Sequence, residues 1–179
     1  MKGEYWTCPT VSDEGYDILV TGRADIEKFR TNPRFSIRVT ISWKYGGHNM
    51  PGTEDSTLME QATDALADTF DKDPVAVLTG IYTGDGSRQW VFYTTSTNIF
   101  GRKLNEALAS LPLMPLEITC ENDPDWKNTT KWLPPAASTA DAHRHGIPPH
   151  PLHRYTHISY YSYYSYYSYY GRYSYYVSS

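Results

Sequence analysis

The order of patterned segments predicts an α+β fold: a ferredoxin-like antiparallel sheet with two helices on one face and an extra N-terminal hairpin. Three observations carry that prediction. Phe35 to Lys44 alternates strictly, with Phe35, Ile37, Val39, Ile41 and Trp43 on one side and Ser36, Arg38, Thr40, Ser42 and Lys44 on the other. That period of two marks a strand with one buried and one wet face. Val75 to Thr95 is a pair of β-branched and aromatic arms around Gly84-Asp85-Gly86, and glycine supplies the positive φ that a tight hairpin needs. Segments of helical period follow both stretches, so from Phe35 the order is strand, helix, strand, strand, helix, strand, the split βαβ pattern.

Taken in order, Glu4 to Thr10 and Tyr16 to Thr21 are strand-like and are separated by the turn signal Ser12-Asp13-Glu14-Gly15. They predict an N-terminal hairpin that extends the sheet or covers part of it. From Thr53 an apolar stripe runs through Leu58, Ala62, Ala65, Leu66, Thr69 and Phe70, with Glu54 and Asp55 in the first turn, where carboxylates favour the positive end of the helix dipole. The start is open by one turn, because Thr57 and Glu60 also have capping-box spacing. Asp73-Pro74 ends this helix, since proline disfavours helical geometry in the residue before it. Ser96, Thr97 and Asn98 are candidate N-caps for a second helix, with the stripe Phe100, Leu104, Ala107, Leu108 and Leu111. Pro112 and Pro115 close it, and Leu116 to Glu121 alternates as a last strand.

The domain is expected to span residues 1–126. Up to Trp126 there are 11 Lys+Arg against 19 Asp+Glu, a balance of −8; beyond it 5 Lys+Arg face Asp141 alone, a balance of +4, and the two sum to −4. Residues 127–179 hold 12 of the 17 tyrosines and five of the six histidines. Their proline-rich start has no apolar face, and the Ser-Tyr-Tyr repeat from Ser159 has a period of neither strand nor helix. This segment is predicted to be a low-complexity, disordered tail. So abrupt a change is what a simple-sequence extension or a shifted reading frame would produce.

The acidic body disfavours nucleic acid, whose binding rests on cations that displace counterions from phosphates. Glu4 and Trp6 stand where a signal peptide needs an apolar core, and no apolar run has the length of a membrane span. A cytoplasmic protein is expected, with Cys8 and Cys120 as buried free thiols. The glycine-rich turn lacks the phosphate-loop pattern and joins two strands where such a loop would enter a helix. His48, the single histidine of the body, reads as an exposed loop residue, and Asp64, Asp68 and Asp71 line one solvated helix face. The tail histidines lack the fixed scaffold and the cysteines of a zinc site. No catalytic residue, metal site or cofactor is expected.

The remaining candidate is a surface. The sheet face away from the helices carries Arg38, Thr40, Glu117 and Thr119, plus either Arg88 and Trp90 or Gln89 and Tyr93. The candidate binding residues are Trp43, Arg88, Trp90, Tyr93, Asp123 and Trp126. Aromatics on an open sheet can stack bases, but the acidic charge favours a protein partner, making the domain a non-enzymatic binding or regulatory module. The alternative is a small-ligand-binding domain or enzyme with a pocket near the Met50-Pro51 loop and the Asp123-Trp126 turn.

The strand ending in Ile41-Ser42-Trp43-Lys44-Tyr45, the Met50-Pro51 loop, the hairpin with Thr83-Gly84 and Trp90-Val91-Phe92-Tyr93, and the closing Asp123-Pro124-Asp125-Trp126 together carry a likeness. Over roughly residues 3–126 the chain resembles the domain of unknown function 695 family, a bacterial family whose members are sometimes joined to a ribonuclease E activity regulator B domain. The resemblance implies no assigned activity. Its context implies a link to RNA metabolism through protein binding, an analogy of fold and neighbourhood.

Overall fold

The computed structural model describes residues 3–127 of the 179. The tail expected beyond Trp126 lies, apart from Lys127, outside the described residues. The architecture is α+β, with a six-stranded antiparallel sheet and, among the described residues, three helices. In chain order the elements are β1 (Tyr5–Val11), β2 (Asp17–Arg23), α1 (Glu27–Arg30), β3 (Ile37–Lys44), α2 (Thr53–Lys72), β4 (Ala76–Gly84), β5 (Ser87–Thr94), α3 (Thr97–Leu108) and β6 (Leu116–Asn122). The strand order is β1-β2-β4-β5-β3-β6. The N-terminal hairpin therefore extends the sheet through β2, whose Val20 lies opposite Tyr82 of β4.

The central hairpin forms as its residues dictate. Asp85 and Gly86 bridge the two strands at φ 47° and 70°, and two successive positive φ values give a turn whose twist matches that of the flanking strands. At Gly86 a Cβ would collide with the Gly47 carbonyl, so glycine there also permits the close approach of a second loop. One irregularity falls between Leu78 and Gly80, where the Thr79 hydroxyl donates to the Val91 carbonyl at 3.0 Å.

Alternate residues of the strands build the main core. Val39, Ile41 and Trp43 of β3 lie opposite Phe92, Trp90 and Arg88 of β5, and the apolar members cluster with Met59, Ala62, Leu66 and Phe70 of α2 and Phe100 and Leu104 of α3. The α2 stripe keeps Ala62, Leu66 and Phe70 as expected, but Met59, Thr63 and Ala67 are buried where Leu58, Ala65 and Thr69 are half-buried. Thr63 explains the rotation. Its hydroxyl accepts from Trp90 Nε1 at 2.8 Å and Arg88 Nη2 at 3.2 Å and donates to the Met59 carbonyl at 2.7 Å, so a polar residue faces the core fully engaged. Thr57, offered as a cap, instead bonds back to the Thr53 carbonyl, and the helix starts at Thr53 behind Gly52. Ser96 caps α3 by accepting from the Ile99 amide at 3.4 Å.

Three expectations need correcting. Phe35 leaves the Ile37–Trp43 row and joins a second cluster with Ile26, Val77, Tyr93 and Trp126. Asp64 and Asp68 are exposed as expected, but Asp71 is half-buried and lies 3.9 Å from the Arg23 guanidinium. Both cysteines are free but exposed, not buried. Cys8 and Cys120 sit on the two outer strands, five strand spacings or about 24 Å apart, which no disulfide spans.

Candidate functional site

The sheet has two ends with different chemistry. Where β3 begins and β5 finishes, the closing turn is locked down. Trp126, at φ 56°, stacks on Tyr93 with centroids 3.7 Å apart and planes 6° off parallel. Its Nε1 donates to the Phe35 carbonyl at 2.8 Å. The Tyr93 hydroxyl donates to Asp123 Oδ2 at 2.7 Å, and Asp123 Oδ1 accepts from the Lys127 amide at 3.0 Å. All three side chains are buried, and the Trp126–Phe35 and Tyr93–Asp123 bonds each join residues far apart in sequence. This constellation fastens the turn after β6 to an interior strand.

The sequence-predicted binding residues thus resolve into two buried groups. Tyr93, Asp123 and Trp126 come together in the lock just described. Trp43, Arg88 and Trp90 face the other way, into the α2–α3 core, where Trp43 is 4% exposed and Trp90 0%. The Arg88 guanidinium lies 5.3 Å from the Trp90 ring centre. Of the two alternatives for the open face, the register selects Gln89 and Tyr93, since they lie opposite Ser42 and Arg38. None of the six offers a partner a free aromatic face, and a buried Tyr93–Trp126 stack leaves no platform for a base.

The pocket expected from the Met50-Pro51 loop and the Asp123-Trp126 turn does not assemble. Asn122 lies opposite Ile37 and Leu116 opposite Trp43, so the turn follows the Ile37 end of β3. The Met50-Pro51 loop leads into α2 from the Lys44 end, where Tyr45 and Gly46 amides donate to the Gly86 carbonyl. An eight-residue strand, about 25 Å at the usual rise, separates the two.

The rest of the open face is charged and internally paired. Arg38 reaches Glu121 at 2.7 Å and Lys44 reaches Glu117 at 2.8 Å, with Thr40 and Thr119 opposite one another between them. Toward β4 it holds a groove of about 180 Å³ lined by Ile18, Arg38, Tyr82, Asp85, Ser87 and Gln89. Burial pushes the Tyr82 hydroxyl above its ordinary range, against the pull of the Arg38 charge. A second cavity, about 200 Å³, lies under α1 and is lined by Arg23, Asp25, Lys28, Phe29 and Asp71 among others. Its charges are spent on one another. Asp25 takes Arg23 at 2.7 Å and Lys28 at 2.6 Å, Arg23 also donates to the Tyr5 hydroxyl at 3.3 Å, and burial, outweighing Arg23, pushes Tyr5 up to about 12. Sequence patterning missed this cavity because the four-residue α1 is too short to show a period.

At the other end of the sheet, where β3 finishes and β5 begins, three connections meet: the β1–β2 turn, the β3–α2 loop and the β4–β5 turn. Here His48 stacks on Tyr16 with centroids 3.9 Å apart and planes 9° off parallel. Its Nδ1 is 2.6 Å from Asp85 Oδ1. Glu14 lies beside them. His48 was legible as the lone body histidine; its neighbours were not, because each comes from a different turn.

The outer strands differ as well. β1 carries Pro9, which has no N–H to offer a further strand. β6 has no proline, six of its seven residues are exposed, and Ile118 is 47% exposed. Among the described residues β6 pairs with β3 alone.

Fold and surface define an α+β domain with a six-stranded antiparallel sheet, one proline-free outer strand and one polar end. No helix among the described residues is long and apolar enough to cross a membrane. The chain belongs to the family of unknown function DUF695, whose family model matches residues 5–133. No curated protein and no solved structure matches it.

Proposed function

We propose that this domain is a non-enzymatic protein-binding module that takes an extended segment of a basic partner along the outer side of β6. The observation that carries the reading is the state of that strand. An outer strand is a template for pairing, and folded proteins blunt it with proline, shortness or cover. β1 is blunted by Pro9, whereas Glu117–Cys120 of β6 has neither proline nor cover among the described residues and shows Ile118 to solvent. Backbone pairing would supply affinity, and Ile118 with Cys120 on one side and Glu117 with Thr119 on the other would read alternate side chains. The excess of 19 carboxylates over 11 Lys+Arg in residues 1–126 favours a cationic segment.

The same reading treats β3 to β6 with α2 and α3 as a ferredoxin-like unit with both helices over one face. The strand order β4-β5-β3-β6 and the shared α2–α3 core cluster support it. A cytoplasmic place rests on the lack of an apolar run as long as a membrane span, and a regulatory role near RNA metabolism rests on the family resemblance.

The two exposed cysteines provide the test. A photo-crosslinker attached in cells at Cys120, with Cys8 replaced by serine, is expected to capture a discrete partner, and the capture is lost in Ile118→Lys at unchanged melting temperature. The mirror experiment at Cys8 is expected to capture nothing. Equal capture from both edges, or capture indifferent to Ile118→Lys, overturns the proposal.

A further inference from the structure

The polar end of the sheet holds a cluster that β6 does not explain. Glu14, His48 and Asp85 come from three separate connections, and one ligand atom of each lies within 4.8 Å of the others. We propose that these three side chains form a binding site for a divalent transition cation of the zinc class.

The donor set is one imidazole nitrogen and two carboxylate oxygens, a combination that suits zinc and its first-row neighbours. Three protein ligands leave further positions for water or an anion. Asp85 also lines the 180 Å³ groove beside Arg38, so an ion held there would face open space with a guanidinium on its border.

Two of the three ligands, His48 and Asp85, are held before any ion arrives. Stacking on Tyr16 fixes the plane of the His48 ring, and the bond from Nδ1 to Asp85 fixes its rotation. The loop bearing His48 is tied to the turn bearing Asp85, because the Gly86 carbonyl accepts the Tyr45 amide at 2.9 Å and the Gly46 amide at 3.2 Å. Binding to such a site loses less conformational entropy than binding to free loops. Two tetrahedral donors at 2.0–2.2 Å from one ion stand about 3.4 Å apart, so the His48–Asp85 pair, 2.6 Å apart without it, opens by roughly 0.8 Å as the metal replaces the bridging proton.

An exposed histidine–aspartate hydrogen bond would not by itself call for Glu14. Bringing a second carboxylate to the same place, in a body already at −8, is repulsive when nothing positive lies between them. A cation converts that repulsion into two favourable contacts.

The test uses the full-length chain with His143, His145, His150, His153 and His157 replaced by alanine, so that tail imidazoles do not compete. Zn²⁺ is titrated by calorimetry while the His48 imidazole and Tyr16 ring resonances are followed by NMR. One equivalent is expected to bind, with both sets of resonances shifting together. Glu14→Gln and Asp85→Asn are each expected to weaken binding by about tenfold or more. No shift at millimolar Zn²⁺, or equal affinity in the parent chain and both variants, overturns the proposal.

Discussion

At the end of the sheet where β3 begins, Tyr93, Asp123 and Trp126 satisfy one another out of water; at the end where β3 finishes, Glu14, His48 and Asp85 converge in the open. Both clusters pair an aromatic stack with a short hydrogen bond to a carboxylate, 2.7 Å in one and 2.6 Å in the other. Burial separates their meaning. A buried carboxylate is expensive unless its bonds are made within the protein, so the Asp123 network is committed to holding the fold. Asp85 keeps 28% of its side chain in solvent and His48 55%, so the Asp85 network adds little stability and keeps its donors available to a ligand.

That contrast predicts a graded series. Trp126→Ala removes a buried ring, its stack and its bond to Phe35, and is expected to cost about 3–5 kcal/mol in urea unfolding. A loss under about 1 kcal/mol would mean that the turn is an ornament and not a lock. Tyr93→Phe keeps the stack and strips the donor from Asp123, so about 1–3 kcal/mol should go, with near-ultraviolet dichroism retained.

Next comes acid. Burial alone would raise the Asp25 carboxyl, but hydrogen bonds from Arg23 and Lys28 outweigh it and hold it at about 2 against an ordinary 3.8. Its folded value lies below its unfolded one, so its stabilisation is complete above 3.8 and is lost as pH falls through about 2. That amounts to at most about 2 kcal/mol, reduced by the solvent that screens the exposed Lys28 partner. Asp25→Asn should flatten the stability profile across this window. The smallest effect belongs to the polar end: His48→Ala in metal-free buffer is expected to shift stability by at most about 0.5 kcal/mol. A loss matching that of Tyr93→Phe would erase the distinction between the two ends.

Much of the fold was legible in the sequence. The alternation Ile37-Val39-Ile41-Trp43 specified a half-buried strand, Asp73-Pro74 stopped α2, and Gly84-Asp85-Gly86 announced the hairpin, because period and backbone conformation are local properties. The candidate site was not legible in the same way. Trp90 was one of two alternatives for the open face, yet the pairing of β3 with β5 puts it beside Trp43 in the core cluster shared with α2 and α3. A one-residue change in register would have turned them out. Tyr93 and Asp123 were named singly, and nothing near either in sequence announced that a hydroxyl would meet a carboxylate 30 residues away.

By itself, then, the sequence determined the kinds of elements, their order and the acidic balance of the body, since each follows from residue type and spacing. Tertiary structure alone decided that the N-terminal hairpin would extend the sheet, that β6 would be its outer strand, that the cysteines would stand on opposite edges, and that Glu14, His48 and Asp85 would share one corner. The reason is physical: a turn fixes its own φ and ψ, but which turns become neighbours depends on the order in which six strands pair, and that is settled by the packing of the whole core.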